Sequence, residues 1–514
     1  MYWILLSLNL DCRNSPRGRR ISTTIATIAL CLMSSSARTP CRAAEPGETR
    51  SSSARVRVDA RDIKFTISKQ LTGSHFVYAF ESDSLYRDER IAAWMRRSKV
   101  GVIRWPGGTA VQSYHWDKLN GIAFKADSWD PKYKSAARKP SEYMDLDEYI
   151  TYCRRVGAEA MVGINIKSGK LYNRKADSLD EARRLIEYCR KKKYRVKYWY
   201  IGNECYIGFG HKTYAAYIDT FAKVLKSVDP EIEIVADWKF GPQAKRRFTQ
   251  CLEIVKKSRH IDIMEIHEKW GNSWGLASGK TLAAWRKQFP IYDGKLGQLI
   301  RQFHKELADT ERSGVKLAFN EWGLGRVVDG DEFDHALIAA DFMIELFRSR
   351  VHQACYWNLN MGHKRTRVLV TAREGGELKS LNPVAHVFEM YAHALGTQLL
   401  AMTSSRRDVY GFAARDAATK TVHVYLLNKN SSPTPVEIDI TGLPAGRRTV
   451  QLEAFIRPGK LVTSKPINTS TPLRSKFNLD PFSFNRITVG LASPAPNRTA
   501  ANNGSRRAPA IRSR

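Results

Sequence analysis

The chain has 514 residues, of which 43% are hydrophobic and 10% aromatic, a composition that excludes a disordered protein and provides for one large core or two ordinary ones. Its formal net charge of +32 favours polyanionic partners such as nucleic acid, anionic lipid or an acidic polysaccharide, and the alternative is a generically basic, solvated surface. The sequence contains no known nucleic-acid-binding motif and no stripe of basic residues interleaved with aromatic ones, so we predict no nucleic-acid partner.

The first element in chain order is a predicted targeting segment over residues 1–37. Four arginines lie within residues 13–20, an apolar stretch follows over residues 21–33, and small residues close the segment at 34–37. This pattern is typical of an export signal, and the apolar stretch is too short for a stable membrane span. We therefore expect an exported protein, periplasmic or extracellular, with a disordered linker over residues 38–54.

From about residue 55 to residue 396 the sequence alternates short β-rich runs with helical patterns. The predicted strands are His75–Phe80, Val100–Trp105, Ala158–Ile166, Val196–Ile201, Ile232–Trp238, Ile261–His267, Lys316–Phe319 and Gln353–Leu359. The clearest helical patterns are His211–Asp229 and Asp331–Arg350, where apolar residues recur on one face. Eight strands, each followed by a helix, predict an α/β fold of the (β/α)8 TIM-barrel type, because a doubly wound open sheet has no reason to stop at eight.

The pattern changes after residue 396. Strand-like runs without intervening helices occur at Val422–Leu427, Val436–Ile440, Thr449–Ala454 and Phe484–Val489. They predict a C-terminal all-β sandwich domain over residues 397–491. The alternating stretch Arg55–Ser68 is a candidate additional strand of this sandwich, and residues 492–514 are predicted to be a disordered basic tail.

Cysteine usage gives little sign of a metal site or a disulfide framework. Three of the eight cysteines lie in or beside the predicted leader, and the other five show no CxxC or CxxxH spacing. We expect most of these five to be buried apolar residues. We predict no metal and no cofactor.

Two glutamates follow apolar runs in a way that suggests catalysis. The fourth predicted barrel strand is followed by Gly202-Asn203-Glu204, and the seventh by Asn320-Glu321. Chemistry in such barrels takes place at the carboxyl ends of the strands, so these two side chains should face each other across the barrel mouth. Each glutamate alone could equally be a salt-bridge partner at a strand end.

A pair of facing carboxyl groups suits the cleavage of glycosidic bonds. One group must carry a proton for the leaving oxygen, and the other must be ionised to attack the anomeric carbon. We expect Glu204 to be the acid/base and Glu321 the nucleophile, and we expect the charge of Glu321 to raise the pKa of Glu204. The reaction would proceed with net retention through a glycosyl-enzyme intermediate.

Several segments resemble the family 51 glycoside hydrolases, the α-L-arabinofuranosidases and their relatives in the large retaining (β/α)8 clan. Residues 196–204, followed by Gly210-His211-Lys212-Thr213, resemble the acid/base region of that family, and residues 317–322 resemble its nucleophile segment, although Asn320 stands where Asp is usual. The further matching segments are Ile103-Arg104-Trp105-Pro106-Gly107-Gly108, Tyr114-His115-Trp116-Asp117, Asn382-Pro383 and Phe388-Glu389-Met390-Tyr391. The resemblance covers roughly residues 70–400.

The resemblance implies roles for supporting residues. Asn203 would bind the sugar 2-hydroxyl, and Arg104 would reach the nucleophile and hold it ionised, with a buried structural ion pair as the alternative. His267 lies where the family places a ring-binding histidine, and Trp357 would stack under the sugar. Ordinary core packing is the alternative reading for both of these rings.

Departures from the family pattern leave the sugar open. Tyr78, with Glu81 three residues on, stands where the family supplies a substrate-gripping glutamate, and Cys205-Tyr206 shortens the acid/base loop. The sequence predicts an α-L-arabinofuranosidase-like enzyme acting on an oligo- or polysaccharide. The alternatives are another retaining clan member (a β-xylosidase, β-glucuronidase or endoglucanase) acting on an anionic glycan, and an inactive carbohydrate-binding barrel. The oligomeric state is not set by the sequence.

Overall fold

The computed structural model describes residues 53–78, 83–117, 127–132, 143–240, 244–271, 275–276, 281–325, 328–360, 368–372, 378–470 and 473–491. The predicted targeting segment, most of the predicted linker and the predicted basic tail lie outside these residues. Within the described part of the chain, no helix has both the length and the apolar character needed to cross a membrane.

The first strand, β1 (Ala54–Thr66), belongs to the C-terminal sheet, and the chain then enters a closed barrel of parallel strands. The barrel strands are β2 (Gln70–His75), β3 (Val102–Trp105), β4 (Glu159–Ile164), β5 (Tyr198–Ile201), β6 (Glu233–Trp238), β7 (Ile263–Trp270), β8 (Lys316–Leu324) and β9 (Gln353–Tyr356). The barrel closes because β2 pairs in parallel with both β3 and β9. The predicted fold class is confirmed.

Helices connect the barrel strands. They are α1 (Asp83–Arg87), α2 (Glu89–Arg97), α3 (Leu146–Val156), α4 (Lys167–Leu171), α5 (Lys175–Lys191), α6 (His211–Val228), α7 (Ala244–Lys257), α8 (Leu282–Arg286), α9 (Lys295–Leu307), α10 (Glu332–Arg348) and α11 (Pro383–Tyr391). Local sequence fixes several of their ends. Helix α3 begins with a capping box between Asp145 and Glu148 and ends at Gly157, whose φ of 78° is a left-handed conformation that favours glycine.

The first barrel strand lies earlier in the chain than predicted. It covers Gln70–His75 rather than His75–Phe80. At Gly73 the backbone lies so close to β9 that a Cβ would be 2.7 Å from the carbonyl oxygen of Ala354. The strand therefore contains a glycine where an apolar side chain would have marked it in the sequence. Phe76 and Tyr78 continue past the strand and donate backbone hydrogen bonds to Arg104 and Pro106.

Two strands at the barrel mouth are longer than predicted. Strand β7 continues three residues beyond His267 to Trp270, and β8 continues five residues beyond Phe319 to Leu324. Glu321 therefore lies within its strand and not after it. This extension carries additional polar side chains into the barrel mouth.

The C-terminal part of the chain forms one sheet of ten strands. After the short hairpin β10 (Val370–Ala372) and β11 (Leu378–Leu381), its strands are β12 (Gln398–Ser404), β13 (Val409–Asp416), β14 (Thr421–Asn428), β15 (Thr434–Thr441), β16 (Arg447–Ile456), β17 (Lys460–Thr463), β18 (Ile467–Ser470), β19 (Leu473–Leu479) and β20 (Ser483–Leu491). Strand β1 lies between β12 and β15, so the segment before the barrel adds a strand to this sheet. Side chains from both ends of the strand order, such as Ile438 and Val450, share one apolar core.

The barrel and the sheet are joined by an aromatic contact and a buried ion pair. Phe347 on α10 stacks against Phe412 on β13 with ring centres 5.3 Å apart. Nearby, the Lys429 ammonium lies 3.1 Å from Asp341, and both side chains are fully buried. Lys429 also donates to the carbonyl oxygens of Trp285 and Gln288, so its three donors are satisfied.

We expect the Lys429→Met variant to be strongly destabilised. It would leave Asp341 as a buried charge held only by neutral donors, and removing one partner of a buried ion pair costs about 3–5 kcal/mol. Thermal unfolding measures the effect. Lys465→Met, at an exposed lysine of the same sheet region, is the matched control, and equal unfolding temperatures for the two variants would contradict the assignment.

Candidate active site

Glu204 is placed at the barrel mouth by a sharp turn after β5. Gly202 has a φ of 75°, and Glu204 itself has a φ of 49°, so two left-handed residues redirect the chain within three positions. A Cβ on Gly202 would lie 2.6 Å from the Cys205 sulfur, which explains the need for glycine. The phenol of Tyr206 donates a hydrogen bond to the Glu204 carboxylate, so the side chain is held in one orientation.

Glu321 reaches the same space from within β8. Its side chain is 6% exposed, compared with 18% for Glu204. The Lys269 ammonium donates directly to a carboxylate oxygen of Glu321. Glu321 is thus the more buried member of the pair and carries its own cation.

The two carboxylates converge on one histidine. His267 Nδ1 lies 3.6 Å from Glu204 Oε1 and 3.6 Å from Glu321 Oε2. One oxygen of each carboxylate and one ring nitrogen of His267 all lie within 4.8 Å of one another. The structure therefore brings together Glu204, Glu321 and His267, as the sequence predicted.

Charge is balanced within this cluster. Burial lowers the pKa of His267, but the carboxylates of Glu321, Glu204 and Glu265 outweigh burial and raise it to about 10. The imidazolium and the Lys269 ammonium together balance the charges of the Glu204 and Glu321 carboxylates.

The expected pKa of Glu204 is wrong for this resting state. Burial raises the pKa of Glu204, but the hydrogen bond and charge of His267 and the charge of Lys269 outweigh burial and lower it to about 2. For Glu321, burial likewise raises the pKa, and Lys269 and His267 lower it below the ordinary value for glutamate. The sequence analysis considered only the two carboxylates and not the cations between them. The proton of the site resides on His267.

Arg104 does not contact Glu321, which corrects the role implied by the resemblance. Its guanidinium donates to Glu265 at 2.8 Å and to the amide oxygen of Asn203 at 3.0 Å, and it lies 3.8 Å from the Tyr200 ring centre. Both Arg104 and Glu265 are fully buried. Arg104 forms the buried ion pair that was its alternative interpretation, and Lys269 is the cation that lies beside Glu321.

Asn203 keeps a free donor. Its oxygen accepts from Arg104, while its Nδ2 has no hydrogen-bond partner among the described residues although it is buried. An unsatisfied buried amide is costly, and a hydroxyl of a bound ligand would satisfy it. Its contact with a sugar hydroxyl stays a prediction.

Trp357 borders the site, and Tyr78 packs in an aromatic cluster with Tyr114. The Trp357 ring is half-buried, packs edge-on against His75 and lies 4.6 Å from the Lys269 nitrogen. A Cβ on Gly108 would lie 2.4 Å from this ring, so the Gly107-Gly108 turn gives it room. Tyr78 packs on Tyr114 with ring centres 4.6 Å apart. The substrate contacts of Trp357 and Tyr78 stay predictions, and Glu81 lies outside the described residues.

The sequence analysis missed Lys269 and Glu265. Both flank His267 at a spacing of two residues on β7, so all three side chains point into the barrel. The period-two pattern Glu-x-His-x-Lys was available as a signal. Lys269 lay beyond the predicted end of the strand at His267, whereas Glu265 lay within the predicted strand and was given no role.

Two groups of side chains have spacing that suits a metal ion. They are Glu204, His267 and Glu321, and Asp237, Glu265 and His267. Both groups share the imidazolium of His267, and Lys269 and Arg104 already neutralise carboxylates in them. A divalent cation would have to displace these charges, so the residues fit a metal poorly.

All five cysteines of the described residues are buried and free, as the sequence analysis expected. Cys205 lies directly after Glu204, and its backbone N–H donates to Asp237 on β6. Burial raises the pKa of Asp237 to about 6. This contact fixes the end of the acid/base turn to the neighbouring strand.

Comparison with known proteins adds a family match over the barrel. The family model described as Alpha-L-arabinofuranosidase 1 domain matches residues 94–272. The chain is 28% identical over 188 residues to Alpha-L-arabinofuranosidase C of Emericella nidulans, covering 30% of this chain and 33% of that protein. It is 30% identical over 254 residues to Intracellular exo-alpha-(1->5)-L-arabinofuranosidase of Halalkalibacterium halodurans, covering 44% and 47%. The chain spans between a third and a half of the length of these curated relatives.

Solved structures share the fold over most of the chain. Alpha-L-arabinofuranosidase from Thermotoga maritima superimposes with a TM-score of 0.66 at 20% identity, covering 85% of this chain and all of that one. CelM2, a bifunctional glucanase-xylanase from a metagenome library, gives a TM-score of 0.61 at 14% identity, covering 86% and 99%. At these identities the likeness concerns the fold alone.

The fold and the site define a class of protein, a (β/α)8 barrel with two carboxylates facing each other at the carboxyl ends of its fourth and seventh strands. The matched relatives are named as α-L-arabinofuranosidases, which are glycoside hydrolases. The family model over residues 94–272 and these partial matches agree with the resemblance of the sequence motifs to the α-L-arabinofuranosidases, and each covers less than half of this chain.

Proposed function

We propose that this protein is a retaining glycoside hydrolase that removes α-L-arabinofuranosyl residues from an oligo- or polysaccharide. The observation that carries the proposal is the separation of the two carboxylates, whose nearest oxygens lie within 4.8 Å of each other. Retaining enzymes hold this pair about 5–5.5 Å apart, whereas inverting enzymes need about 6.5–9.5 Å for an intervening water. The spacing supports direct attack by one carboxylate.

Glu321 suits the role of nucleophile. It is buried, ionised and oriented by Lys269. In the first step a Glu321 oxygen attacks the anomeric carbon, the bond to the leaving oxygen breaks, and that oxygen takes a proton from Glu204. The product is a glycosyl ester on Glu321.

Glu204 suits the role of acid/base because it is the more exposed carboxylate and faces the leaving group. Its proton has a source close by, since His267 Nδ1 lies 3.6 Å from Glu204 Oε1 and is protonated in the resting site. Transfer of that proton leaves both groups neutral and keeps the net charge of the site unchanged. In the second step Glu204 takes a proton from water, which attacks the anomeric carbon and releases Glu321.

The proposed sugar rests on the relatives, whose names describe arabinofuranosidases. Tyr78 stands where the family pattern has a substrate-gripping glutamate, so a β-xyloside, β-glucuronide or β-glucan is the second candidate substrate. The experiment is a panel of 4-nitrophenyl glycosides of these sugars, with a soluble β-glucan for endo action. We expect the α-L-arabinofuranoside to be cleaved fastest, with methanol trapping the product in the starting configuration.

Each outcome of the panel has a distinct meaning. Fastest cleavage of another glycoside replaces the sugar but keeps the mechanism, and an inverted methyl glycoside contradicts the retaining mechanism. Binding of arabino-oligosaccharides without any turnover would indicate the inactive carbohydrate-binding barrel.

We also infer that the protein is exported, which rests on the basic, apolar and small-residue pattern of residues 13–37. Expression of the full chain in a bacterial host, fractionation and N-terminal sequencing test this. A mature protein that begins near residue 38 outside the cytoplasm is expected. Recovery of the uncut chain from the cytoplasm would contradict it.

Lys269 gives a prediction specific to this site. The Lys269→Met variant should lower kcat/KM by roughly 10-fold to 100-fold, because the nucleophile loses the cation that orients it and holds it ionised. The pKa of Glu321 should rise, so the acid limb of the pH–rate profile should move to higher pH. Lys269→Arg, which keeps the charge, should restore most of the rate and the original acid limb. An unchanged profile in Lys269→Met would show that the contact is only structural.

A further inference from the structure

The leaving-group side of the barrel mouth can be located from the proposed function. The acid/base protonates the leaving oxygen, so the leaving sugar must lie on the side of Glu204 and of the carboxyl ends of β5 and β6. The first residues of α6 and α7 share this face of the barrel. The chemistry of this rim therefore decides which leaving sugars fit.

Two cations lie next to the residue that holds the acid/base. Tyr206 donates to Glu204, and the Lys239 nitrogen lies 4.1 Å from the centre of the Tyr206 ring. The guanidinium carbon of Arg247 lies 5.9 Å from the same ring and 5.8 Å from that of Trp238. The acid/base and this pair of half-buried cations are thus separated by a single aromatic ring.

The positive charge continues along the start of α7. Lys245, Arg246 and Arg247 occupy its first turn, which carries no acidic residue. In the described part of the chain these three make no ion pair with a carboxylate, whereas on α5 both Arg183 and Arg184 do. Three cations at a helix N-terminus oppose the helix dipole, so folding alone does not favour this arrangement.

The cations at this rim repel one another, and burial and this repulsion both lower the pKa values of Lys239 and Arg247. Burial lowers the pKa of Lys239 and Arg247 lowers it further, while the carboxylates of Glu204 and Glu268 raise it by less. Burial lowers the pKa of Arg247 as well, and Arg246 adds to that effect. A bound anion would relieve the repulsion.

A groove next to these cations has room for sugar residues. It has a volume of about 740 Å³ and is lined by His211 at the start of α6 and by Lys245, Arg246, Gln250 and Glu253 of α7. Glu253 is paired with His211, with Nε2 and Oε2 2.6 Å apart. The groove thus presents hydrogen-bonding groups, the carboxylate of Glu253 and two exposed cations to a ligand.

We propose that Lys239, Lys245, Arg246 and Arg247, the basic rim, bind a negatively charged sugar on the leaving-group side of the site. The charge would be a carboxylate or a sulfate ester of the polysaccharide from which the terminal sugar is removed. This inference rests on the proposed function for its placement, since it assumes that Glu204 faces the leaving group. It assigns a local role to part of the strongly basic surface.

Calorimetric titration tests the inference without relying on turnover. The ligands are trigalacturonate, a sulfated neutral trisaccharide and the same neutral trisaccharide without sulfate. The wild-type protein should bind at least one anionic ligand about tenfold or more tightly than the neutral one, and less tightly as salt rises. The two anionic ligands distinguish a carboxylate from a sulfate ester.

The rim variant Lys239→Gln/Arg247→Gln should lose this preference by about tenfold. The matched control is Lys256→Gln/Lys257→Gln, which removes the same charge from exposed residues at the other end of α7, and it should bind as the wild type does. Equal binding of charged and neutral ligands by the wild type, or an unchanged preference in the rim variant, would overturn the inference.

Inhibition of aryl glycoside hydrolysis separates this inference from the proposed function. The preferred anionic trisaccharide should inhibit competitively, since it would occupy the barrel mouth. Non-competitive inhibition would place the anion elsewhere and overturn the inference while the enzyme activity stands. A protein that binds the anion at the rim but cleaves no glycoside would overturn the proposed function instead.

Discussion

The Glu321→Ala variant should lose turnover of aryl glycosides by about 10⁴-fold or more in kcat, as expected when the nucleophile of a covalent mechanism is removed. Alanine cannot form the glycosyl ester, and the nearest carboxylate, Glu204, lies on the leaving-group side. Lys269 and His267 would keep their places without supplying a nucleophile. The measurement is kcat on the best substrate of the panel.

Two variants make this result specific. Glu311→Ala removes an exposed glutamate just before β8, at the opposite end of the strand, and should leave kcat unchanged. Glu321→Gln keeps the size of the side chain and should be as inactive as Glu321→Ala. Thermal unfolding of all three variants must show a cooperative transition, since an unfolded protein would be inactive for another reason. Turnover of Glu321→Ala at the wild-type rate would remove Glu321 from the mechanism.

The barrel could be predicted from the sequence because its strands are buried on both faces. Strands such as Val102–Trp105 and Tyr198–Ile201 are buried at every position, so each is read as a short apolar run without alternation. The eight runs and the helices between them then determine the topology. The two glutamates could be predicted because the same Asn-Glu pair follows two buried runs that lie three β–α units apart.

The ends of the strands could not be predicted in the same way. At the mouth of the barrel β7 points Glu265, His267 and Lys269 inward, and polar side chains at buried positions break the apolar pattern that marks a strand. The strand was therefore predicted to end at the first recognised functional residue. Lys269, the cation that binds Glu321, lies in the last three residues of β7, which were not predicted to belong to the strand.

The partners of Arg104 depend on distances that no sequence pattern gives. From the second strand its guanidinium could reach either of two buried carboxylates, and it pairs with Glu265. The pKa of Glu204 depends on the same geometry, since it is set by His267 and Lys269 and not by Glu321 alone. The sequence indicated Glu204, Glu321 and His267 but not Lys269, and the pairing of these groups required the structure.

The Glu204→Ala variant should lose activity to a degree that depends on the leaving group. General acid assistance contributes about 10²-fold to 10⁴-fold, and a poor leaving group needs all of it, whereas 2,4-dinitrophenolate needs almost none. We therefore expect a large fall in kcat/KM for an arabino-oligosaccharide and a small one for the dinitrophenyl glycoside. Removal of the base still slows hydrolysis of the glycosyl ester, so kcat should fall for both.

Added azide should restore turnover of Glu204→Ala with activated substrates. Azide attacks the anomeric carbon without a general base, so it replaces the second step and releases a glycosyl azide of the starting configuration. Glu231→Ala, at an exposed glutamate in the turn before β6, should show neither the loss nor the rescue. The wild type should not respond to azide either, because Glu204 remains charged after the first step and repels an anion.

Equal losses for all leaving groups, with no glycosyl azide formed, would mean that the proton comes from a group other than Glu204. His267 would then be the side chain to test next, since its Nδ1 lies 3.6 Å from both carboxylates.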